Sequence, residues 1–376
     1  MESRSVVIHA DIKPMRGVVN PGPHQTYVNP RVSVEPRELG DLHPDEIRVE
    51  MIYAGLCGTD LHLVESDPDT GYVRCSAPAK IPPEGRVLGH EGVGRIVAIG
   101  SNVRHLKPGI YVAFESIIVC NHCSACRRGR FNQCRNARLF GLEKDGLFGT
   151  VVDVPSMLAH DVTEFARTDK GLKAVACLEP AGVAFVACQN GKVTPGDRVL
   201  VFGAGPIGLF SAMFSKNIFG ASEVYVVEPV QFRRNLARKW CDRIFDVDEF
   251  FYKNRQPVDV VIEASGQLDN IGKTFSDINI NGRVVLLARS GVPLVLDNVD
   301  HMITNAVLLT GSRGHLGGAF SAILSLYRNG RIPLGQLVTE VVDGPERLAE
   351  LLNTPQRILL ENCKVLVQLN DVQVAV

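Results

Sequence analysis

The sequence predicts an α/β protein in which a β-rich, barrel-like region precedes a doubly wound parallel sheet, and three observations support this. Short β-branched segments broken by glycine and proline, such as residues 47–54 and Gly92–Ile99, dominate the first half of the chain. After Pro180, apolar segments of strand length alternate with helical segments, which is typical of a parallel sheet covered by helices. The 376 residues, of which 45% are hydrophobic, suffice for two domains of about 100–200 residues each.

The composition argues against nucleic-acid and membrane partners. The 40 basic and 41 acidic residues are spread along the chain and form no basic stripe. The apolar residues Val6, Val7 and Ile8 are followed by His9 and Asp11 before they could form a signal-peptide core, and other apolar runs stay well below the ~20 residues of a membrane span. Ten cysteines without a secretory signal favour a reducing compartment. We therefore expect a soluble, cytoplasmic protein with small-molecule partners.

Two segments of the β-rich region are predicted to be loops. They are residues 24–37 and residues 67–86, and the second contains Pro68, Pro78, Pro82 and Pro83. Clusters of proline, glycine and polar residues between periodic segments are the usual composition of loops.

Four of the ten cysteines lie close together, as Cys120-x2-Cys123-x2-Cys126-x7-Cys134. Four thiolates can surround one tetrahedral ion at about 2.3 Å, the closed arrangement of structural zinc. An iron–sulfur cluster is the main alternative, but the similar ferredoxin run has about three residues before its last cysteine and a proline after it. This chain has seven residues there, and Arg135 follows. The spacing therefore predicts a structural zinc site.

The motif Gly203-Ala204-Gly205-Pro206-Ile207-Gly208 follows the apolar strand Arg198–Phe202 and opens a helix predicted to reach Lys216. In this context the glycines allow a tight turn and the close approach of a dinucleotide pyrophosphate, which binds at the helix N-terminus. Glu228 follows the next predicted strand, Glu223–Val227, and is placed to accept hydrogen bonds from the adenosine ribose. The pattern predicts a Rossmann coenzyme domain whose cofactor-binding residues are Gly203, Gly205, Pro206, Ile207, Gly208 and Glu228.

The alternation of strands and helices continues to the C-terminus. A helix is predicted to begin near Gln231, and strands are predicted at residues 259–263 and 283–287. A helix from about Phe320, a strand at 337–342, a helix at 345–352 and a strand at 364–369 complete the chain.

Three further motifs supply candidate ligands and polar groups: Cys57-Gly58-Thr59-Asp60-Leu61-His62, Gly89-His90-Glu91 and Leu178-Glu179-Pro180. A catalytic zinc keeps three protein ligands and an open fourth position, and Cys57, His90 and a carboxylate are donors of the required kind. In order and approximate spacing, these motifs, the cysteine quartet and the glycine motif resemble the zinc-containing medium-chain dehydrogenases, from about residue 47 to the C-terminus. Within that family the chain is most similar to the sorbitol, sugar and threonine dehydrogenase branch.

The resemblance implies a GroES-like catalytic domain over residues 1–182, a Rossmann NAD-binding domain over 183–318, and a return segment, 319–376, that completes the catalytic domain. The active site is expected in the cleft between the domains. Cys57 and His90 would bind the catalytic zinc. Family members differ over which carboxylate is the third protein ligand, so Glu91 and Glu179 both remain candidates. The stretch from His62 to Gly89 is longer than is common in the family, and we expect it to border the substrate pocket.

The resemblance also implies roles in the reaction. Thr59 would take the proton of the alcohol, the nicotinamide ribose would relay it, and His62 would pass it to solvent. The reaction is expected to move a hydride between a secondary alcohol of the polyol, cyclitol or sugar class and NAD. Zinc brings the pKa of a bound water to about 7, and a bound alcohol benefits from the same Lewis acidity.

Further expectations concern the coenzyme and the assembly. A carboxylate at Glu228 disfavours the 2′-phosphate of NADP, although Arg233 and Arg234 could bind a phosphate. In NAD-using relatives a basic residue in this loop can pack over the adenine, and Arg233 is expected to do so. The family further implies two zinc ions per subunit and assembly as a homodimer or homotetramer.

Three alternatives remain open at this stage. A simple alcohol or a β-hydroxy amino acid such as threonine is the alternative substrate class. A zinc-binding structural or regulatory protein without turnover is another, but it would have no evident need of the intact set Cys57, Thr59, His62, His90 and Glu91. A zinc-free reductase of the same superfamily is disfavoured by the two zinc motifs.

Overall fold

A computed structural model describes residues 1–372 and 374–375 of the chain. The chain divides into two compact units. The first consists of Met1–Glu179, Leu334–Leu359 and the chain from Lys364 onward, and the second consists of Pro180–Pro333 and Leu360–Cys363. The chain therefore returns to the first unit after it has formed most of the second.

The strands are, in chain order, β1 (Glu2–Ile12), β2 (Tyr27–Glu38), β3 (Glu46–Leu56), β4 (Arg86–Val87), β5 (Gly92–Ile99), β6 (Tyr111–Phe114), β7 (Ile117–Ile118), β8 (Arg138–Leu139), β9 (Val151–Pro155), β10 (Ala159–Asp161), β11 (Arg198–Phe202), β12 (Glu223–Val227), β13 (Arg243–Phe245), β14 (Val258–Glu263), β15 (Ile278–Leu286), β16 (Leu308–Gly311), β17 (Val338–Asp343) and β18 (Lys364–Gln368).

The α-helices are, in chain order, α1 (Gly58–Val64), α2 (Ser124–Arg127), α3 (Asp169–Val175), α4 (Leu178–Asn190), α5 (Pro206–Asn217), α6 (Gln231–Ala237), α7 (Val247–Lys253), α8 (Asp269–Thr274), α9 (Val299–Thr304), α10 (Ala319–Arg328), α11 (Gly344–Leu352) and α12 (Gln356–Glu361). Within the described residues no single helix has the length and apolar character to cross a membrane. Helices α3 and α4 have that length and composition only when they are taken together, and they are bent by 45° relative to each other.

The first unit is built around strand β3. A sheet with the strand order β10-β6-β5-β3-β18-β17 contains it, and β9 pairs with the same strand. Strand β5 lies along one edge of β3, whereas β9 and β18 share the other, with β18 opposite the last residues from Tyr53 to Leu56. Side chains of β3 such as Val49 and Met51 are fully buried in the core. The return strand β18 is therefore placed beside the residue that precedes Cys57.

The prediction of a loop at residues 24–37 is wrong, because most of this segment forms strand β2. It pairs antiparallel with β1 in a sheet of order β2-β1-β4. Pro30 and Pro36 are tolerated because β2 is an edge strand, where a residue need not donate to a second neighbour. The register shifts between His9 and Asp11, opposite Asn29, which has a φ of 51°. By contrast, residues 67–85 contain no strand longer than an isolated bridge.

The second unit contains a six-stranded parallel sheet of order β13-β12-β11-β14-β15-β16. Val199, Leu200 and Val201 of β11 are fully buried, as expected when helices cover both faces of a sheet. The predicted fold class is confirmed. The chain order reverses between β11 and β14, and in such sheets ligands bind outside the carboxyl ends of the strands at this point.

The position of helix α10 differs from the sequence analysis, which expected the return segment to begin at residue 319. It lies in the second unit, and the return begins at Leu334. Phe320 of α10 is fully buried, and its ring centroid lies 5.3 Å from that of His315. The helix therefore buries its apolar face within the second unit before the chain leaves it.

Candidate active site

The turn between β3 and α1 carries a thiol, a hydroxyl and an imidazole. Cys57 is the N-cap residue of α1, and the Asp60 carboxylate accepts a hydrogen bond of 3.0 Å from the Cys57 backbone N–H, which closes the first turn. The Thr59 hydroxyl lies 3.8 Å from Cys57 Sγ. His62 is exposed and lies three residues beyond Thr59, so both side chains are on neighbouring positions of one helix face.

His90 and Glu91 lie between β4 and β5 and join Cys57 in one cluster. The candidate ligand atoms of these three residues all lie within 4.8 Å of one another. His90 and Glu91 are buried. The structure therefore brings Cys57 together with His90 and Glu91, which lie more than thirty residues further along the chain, and the three side chains have the donor types of a catalytic zinc site.

Asp60 is a site residue that the sequence analysis did not single out. Its Oδ1 lies 3.7 Å from His90 Nδ1 and accepts a hydrogen bond of 3.3 Å from the Gly89 N–H. One buried carboxylate thus holds the Cys57 turn and the Gly89 N–H by hydrogen bonds and places its charge beside the His90 ring. Burial opposes protonation of His90, but the neighbouring Cys57 and Asp60 raise the pKa of its imidazole well above the usual value. The groups around His90 therefore favour a positive charge beside its ring, and a bound metal ion would supply one.

Lys364 is the second residue that sequence reasoning missed. Its Nζ lies 2.5 Å from Glu91 Oε2, and both side chains are only 1% exposed. It also donates a hydrogen bond of 2.9 Å to the backbone carbonyl of Leu56. Burial raises the pKa of Glu91, and the Lys364 ammonium opposes this rise. Glu91 Oε1 is buried without a hydrogen-bond partner among the described residues, so it can still serve as a metal ligand.

Glu179 lies close to this cluster but outside it. It is 8% exposed at the start of α4, and its Oε1 accepts a hydrogen bond of 3.2 Å from the Ser116 hydroxyl. Its charge is near enough to raise the pKa of Glu91. The cluster of candidate ligand atoms contains Glu91 and not Glu179.

The four cysteines of the quartet lie together around a second point. Sulfur–sulfur distances are 3.6 Å for Cys123–Cys126, 4.0 Å for Cys123–Cys134 and 3.6 Å for Cys134–Cys120. Sulfurs placed tetrahedrally at about 2.3 Å from one zinc ion are about 3.8 Å apart, so the arrangement fits this metal.

The ionisation of the quartet also fits a bound cation. Backbone N–H groups of Cys126 and Arg135 lower the pKa of Cys123 to about 6. Burial and the neighbouring sulfurs raise the pKa of Cys126 to about 12. Crowded thiols cannot all ionise unless a cation neutralises their charge, and zinc supplies that charge.

The glycine motif turns sharply from β11 into α5. Gly203 has a φ of 93°, and a Cβ on Gly208 would lie 2.0 Å from the Gly203 carbonyl oxygen, so both positions require glycine. Gly205 is the N-cap of α5, and a Cβ there would meet nothing within 4 Å. The backbone at Gly205 therefore faces open space at a helix N-terminus, and Pro206 and Ile207 open the helix. This is the geometry that receives a pyrophosphate.

Glu228 lies immediately after β12 and is 3% exposed. Its Oε2 accepts a hydrogen bond of 2.7 Å from the Ala204 N–H, and its Oε1 accepts one of 2.9 Å from the Val230 N–H. The carboxylate therefore braces the glycine motif. Each oxygen has a second lone pair with which it could accept from a ribose hydroxyl.

The two arginines after Glu228 are engaged in bonds within the second unit. Arg234 donates to the backbone carbonyls of Glu228 (2.8 Å) and Pro229 (2.6 Å). Arg233 donates through Nε to the carbonyl of Asn362 at 3.1 Å. Both guanidinium groups thus already have backbone acceptors.

Comparison with known proteins places the chain in a family. Residues 43–164 match the model of the alcohol dehydrogenase GroES-like domain. The chain is 31% identical to an L-threonine 3-dehydrogenase of Pyrococcus horikoshii over 82% of its own length and 87% of the relative. It is 29% identical to a scyllo-inosose 3-dehydrogenase of Thermotoga maritima, over 81% of each chain.

Among solved structures, the fold is similar to that of 2R,3R-butanediol dehydrogenase from Bacillus subtilis. The TM-score is 0.77 with 22% identity, over 98% of this chain and 100% of the other. Sequence identity above 30% over most of both chains is the finding that decides the family. The protein belongs to the zinc-containing medium-chain dehydrogenases and is an enzyme of that class.

Proposed function

We propose that the protein transfers a hydride between a secondary alcohol of the polyol, cyclitol or sugar-derived class and NAD. The observation that carries the proposal is the buried cluster of Cys57, His90 and Glu91, whose candidate ligand atoms lie within 4.8 Å of one another, beside the Thr59 hydroxyl. A metal, a proton acceptor and an alcohol can meet at such a point.

Zinc held by Cys57, His90 and either Glu91 or Glu179 would supply Lewis acidity that makes the substrate hydroxyl acidic. The proximity of Glu91 to the other two ligands favours it as the third. The quartet Cys120, Cys123, Cys126 and Cys134 would hold a second zinc ion, and its four sulfurs leave no open position for substrate. That site is proposed to be structural.

Thr59 and His62 are proposed to carry the proton away. The Thr59 hydroxyl lies 3.8 Å from Cys57 Sγ and so is close to the metal cluster. His62 is exposed on the same helix and can exchange protons with water. The protein atoms packed around His62 lower the pKa of its imidazole, while Glu65 opposes that effect. The lowered pKa favours the neutral imidazole, which is the form that can accept a proton.

The coenzyme is proposed to bind at the carboxyl end of β11. The pyrophosphate would lie on the glycine motif and the N-terminus of α5, through Gly203, Gly205, Pro206, Ile207 and Gly208. Glu228 would accept from the adenosine ribose, and Arg233 would pack over the adenine. The preference for NAD over NADP rests on the carboxylate of Glu228 and on the backbone bonds that already engage Arg233 and Arg234.

A β-hydroxy amino acid is the second candidate substrate, because relatives at 31% identity are L-threonine 3-dehydrogenases. The two classes differ in charge, since threonine carries an ammonium and a carboxylate at neutral pH whereas polyols and cyclitols are neutral. A direct comparison of the two classes therefore separates the candidates.

The test is a screen of purified protein with zinc and NAD against polyols, cyclitols, simple secondary alcohols and L-threonine, with NADH absorbance as readout. We expect turnover with at least one neutral polyhydroxy substrate and none in a Cys57→Ser variant. Turnover confined to L-threonine would favour the second candidate. Absence of turnover with every alcohol, in protein that contains zinc, would contradict the proposal.

A further inference from the structure

A buried glutamate at the end of β14 shapes the loop that follows this strand. Glu263 is fully buried. Its Oε1 accepts hydrogen bonds from the Ser265 N–H (2.9 Å), the Ser265 hydroxyl (2.5 Å) and the Gly266 N–H (3.0 Å). One carboxylate oxygen thus holds two consecutive residues of the loop, and Gly266 has a φ of 79°.

The other carboxylate oxygen makes this residue unusual. Glu263 Oε2 is buried and has no hydrogen-bond partner among the described residues. Burial raises the pKa of Glu263, and the hydrogen bonds from Ser265 and Gly266 oppose the rise. A buried polar atom without a partner destabilises the folded protein. The contribution of Glu263 therefore lies in the three hydrogen bonds that its Oε1 accepts from the following loop.

The loop that Glu263 holds lies against the glycine motif. In the parallel sheet Phe202, the last residue of β11, is paired with Glu263, and Ala264 donates a backbone hydrogen bond of 3.0 Å to the Phe202 carbonyl. A Cβ built on Gly203 would lie 3.0 Å from the Ala264 carbonyl oxygen and 3.1 Å from Ser265 Cα. The backbone of residues 264–265 therefore packs directly against the turn at Gly203.

The glycine motif consequently lies between two buried carboxylates. Glu228 follows β12 and Glu263 ends β14, and these strands flank β11 on either side. Glu228 holds Ala204 directly, whereas Glu263 holds the loop that abuts Gly203. We propose that Glu263 is a positioning residue for the coenzyme, which fixes residues 264–266 against Gly203 and so sets the shape of the turn that receives the pyrophosphate. This inference rests on the proposed binding of NAD to the glycine motif.

The test measures NADH binding to the full-length, zinc-loaded protein by fluorescence titration, together with KM for NAD and kcat. Glu263→Ala removes the acceptor of three hydrogen bonds, and we expect the Kd for NADH and the KM for NAD to rise about tenfold or more, with a smaller change in kcat. Glu263→Gln keeps an acceptor oxygen in place and should stay within about twofold of the parent.

Asp259 supplies a matched control in the same strand. It accepts hydrogen bonds from the Arg198 N–H and from Asn279, both at 2.8 Å, and so also braces a neighbouring strand. It lies near the opposite end of β14, about 13 Å from Glu263 along the strand. Asp259→Ala should lower the melting temperature and leave the Kd for NADH within about twofold of the parent.

The outcomes separate the inference from the proposed function. If the parent binds NADH and Glu263→Ala binds it with the same affinity, the inference alone is overturned. An equal loss of NADH affinity in Asp259→Ala would also overturn the inference alone. Absence of NADH binding by the parent would overturn the proposed function and the inference with it. If Glu263→Ala does not fold, Ser265→Ala removes one donor to Glu263 and the acceptor of the Gln267 N–H without a large cavity, and it is expected to raise the Kd about threefold. An unchanged Kd in that variant would also overturn the inference.

Discussion

Replacement of Lys364 by Met tests whether the return strand stabilises the candidate metal site. Lys364 and Glu91 form an ion pair at 2.5 Å with both side chains 1% exposed, and Lys364 also donates to the Leu56 carbonyl. Met has a similar length but no charge and no donor. The variant would leave a buried carboxylate and a buried carbonyl oxygen without their partner.

The expected loss of stability follows from this burial. Removal of one member of a buried ion pair costs about 3–5 kcal/mol, because the remaining charge stays out of water without compensation. A zinc ion on Glu91 would partly compensate, so we expect the lower end of this range, about 3 kcal/mol, in zinc-loaded protein. For a unit of this size, that corresponds to a fall in melting temperature on the order of 10 °C.

The assay is thermal unfolding of zinc-loaded parent, Lys364→Met, and a control variant, Lys173→Met. Lys173 pairs with Asp169 at 2.6 Å, but the side chains are 29% and 46% exposed, so its loss should cost only about 0.5 kcal/mol. The double variant Lys364→Met, Glu91→Gln should recover part of the stability, because no unpaired charge remains. A melting temperature of Lys364→Met within about 2 °C of the parent would refute the reasoning.

Three further predictions concern the proposed site. Metal analysis should find two zinc ions per subunit. Cys134→Ser should mainly lower the melting temperature, because structural zinc stabilises the fold, whereas Cys57→Ser should mainly abolish turnover. A Cys134→Ser variant as heat-resistant as the parent would contradict the structural assignment. Thr59→Val should lower kcat by about 10²–10⁴-fold with NADH binding retained. His62→Ala should lower kcat less, because water can partly replace an exposed imidazole. A near-parental kcat in Thr59→Val would exclude the relay. The ratio of kcat/KM should favour NAD over NADP, and equal values would show that Arg233 and Arg234 outweigh Glu228.

Local patterns in the sequence were sufficient for the first two strands of the coenzyme domain and the glycine motif between them. The strands Arg198–Phe202 and Glu223–Val227 were predicted with the bounds that the structure has. Strands buried on both faces are continuous apolar runs, and glycine, proline or charged residues bound them, so their limits are visible in one dimension. The spacing of the cysteine quartet likewise depends on a short stretch of chain, and the structure brings its four sulfurs together.

Other features depended on contacts between distant segments. Strand β2 was predicted as a loop. Its prolines, Pro30 and Pro36, are compatible with a strand only at a sheet edge, and edge position is a property of the assembled sheet. Asp60 was visible as part of a motif, but its contact with His90 exists only because the segment that follows β4 lies against α1.

The sequence by itself determined the fold class, the glycine turn and the types of donor atom available for zinc, since each is encoded by neighbouring residues. Only the tertiary structure decided that Lys364 neutralises Glu91 and that Glu263 supports the glycine motif. Lys364 reaches Glu91 through the pairing of β18 with β3, and Glu263 reaches the Gly203 turn through the pairing of β14 with β11. The register between strands distant in sequence is set by the packing of the whole sheet, and no local pattern contains it.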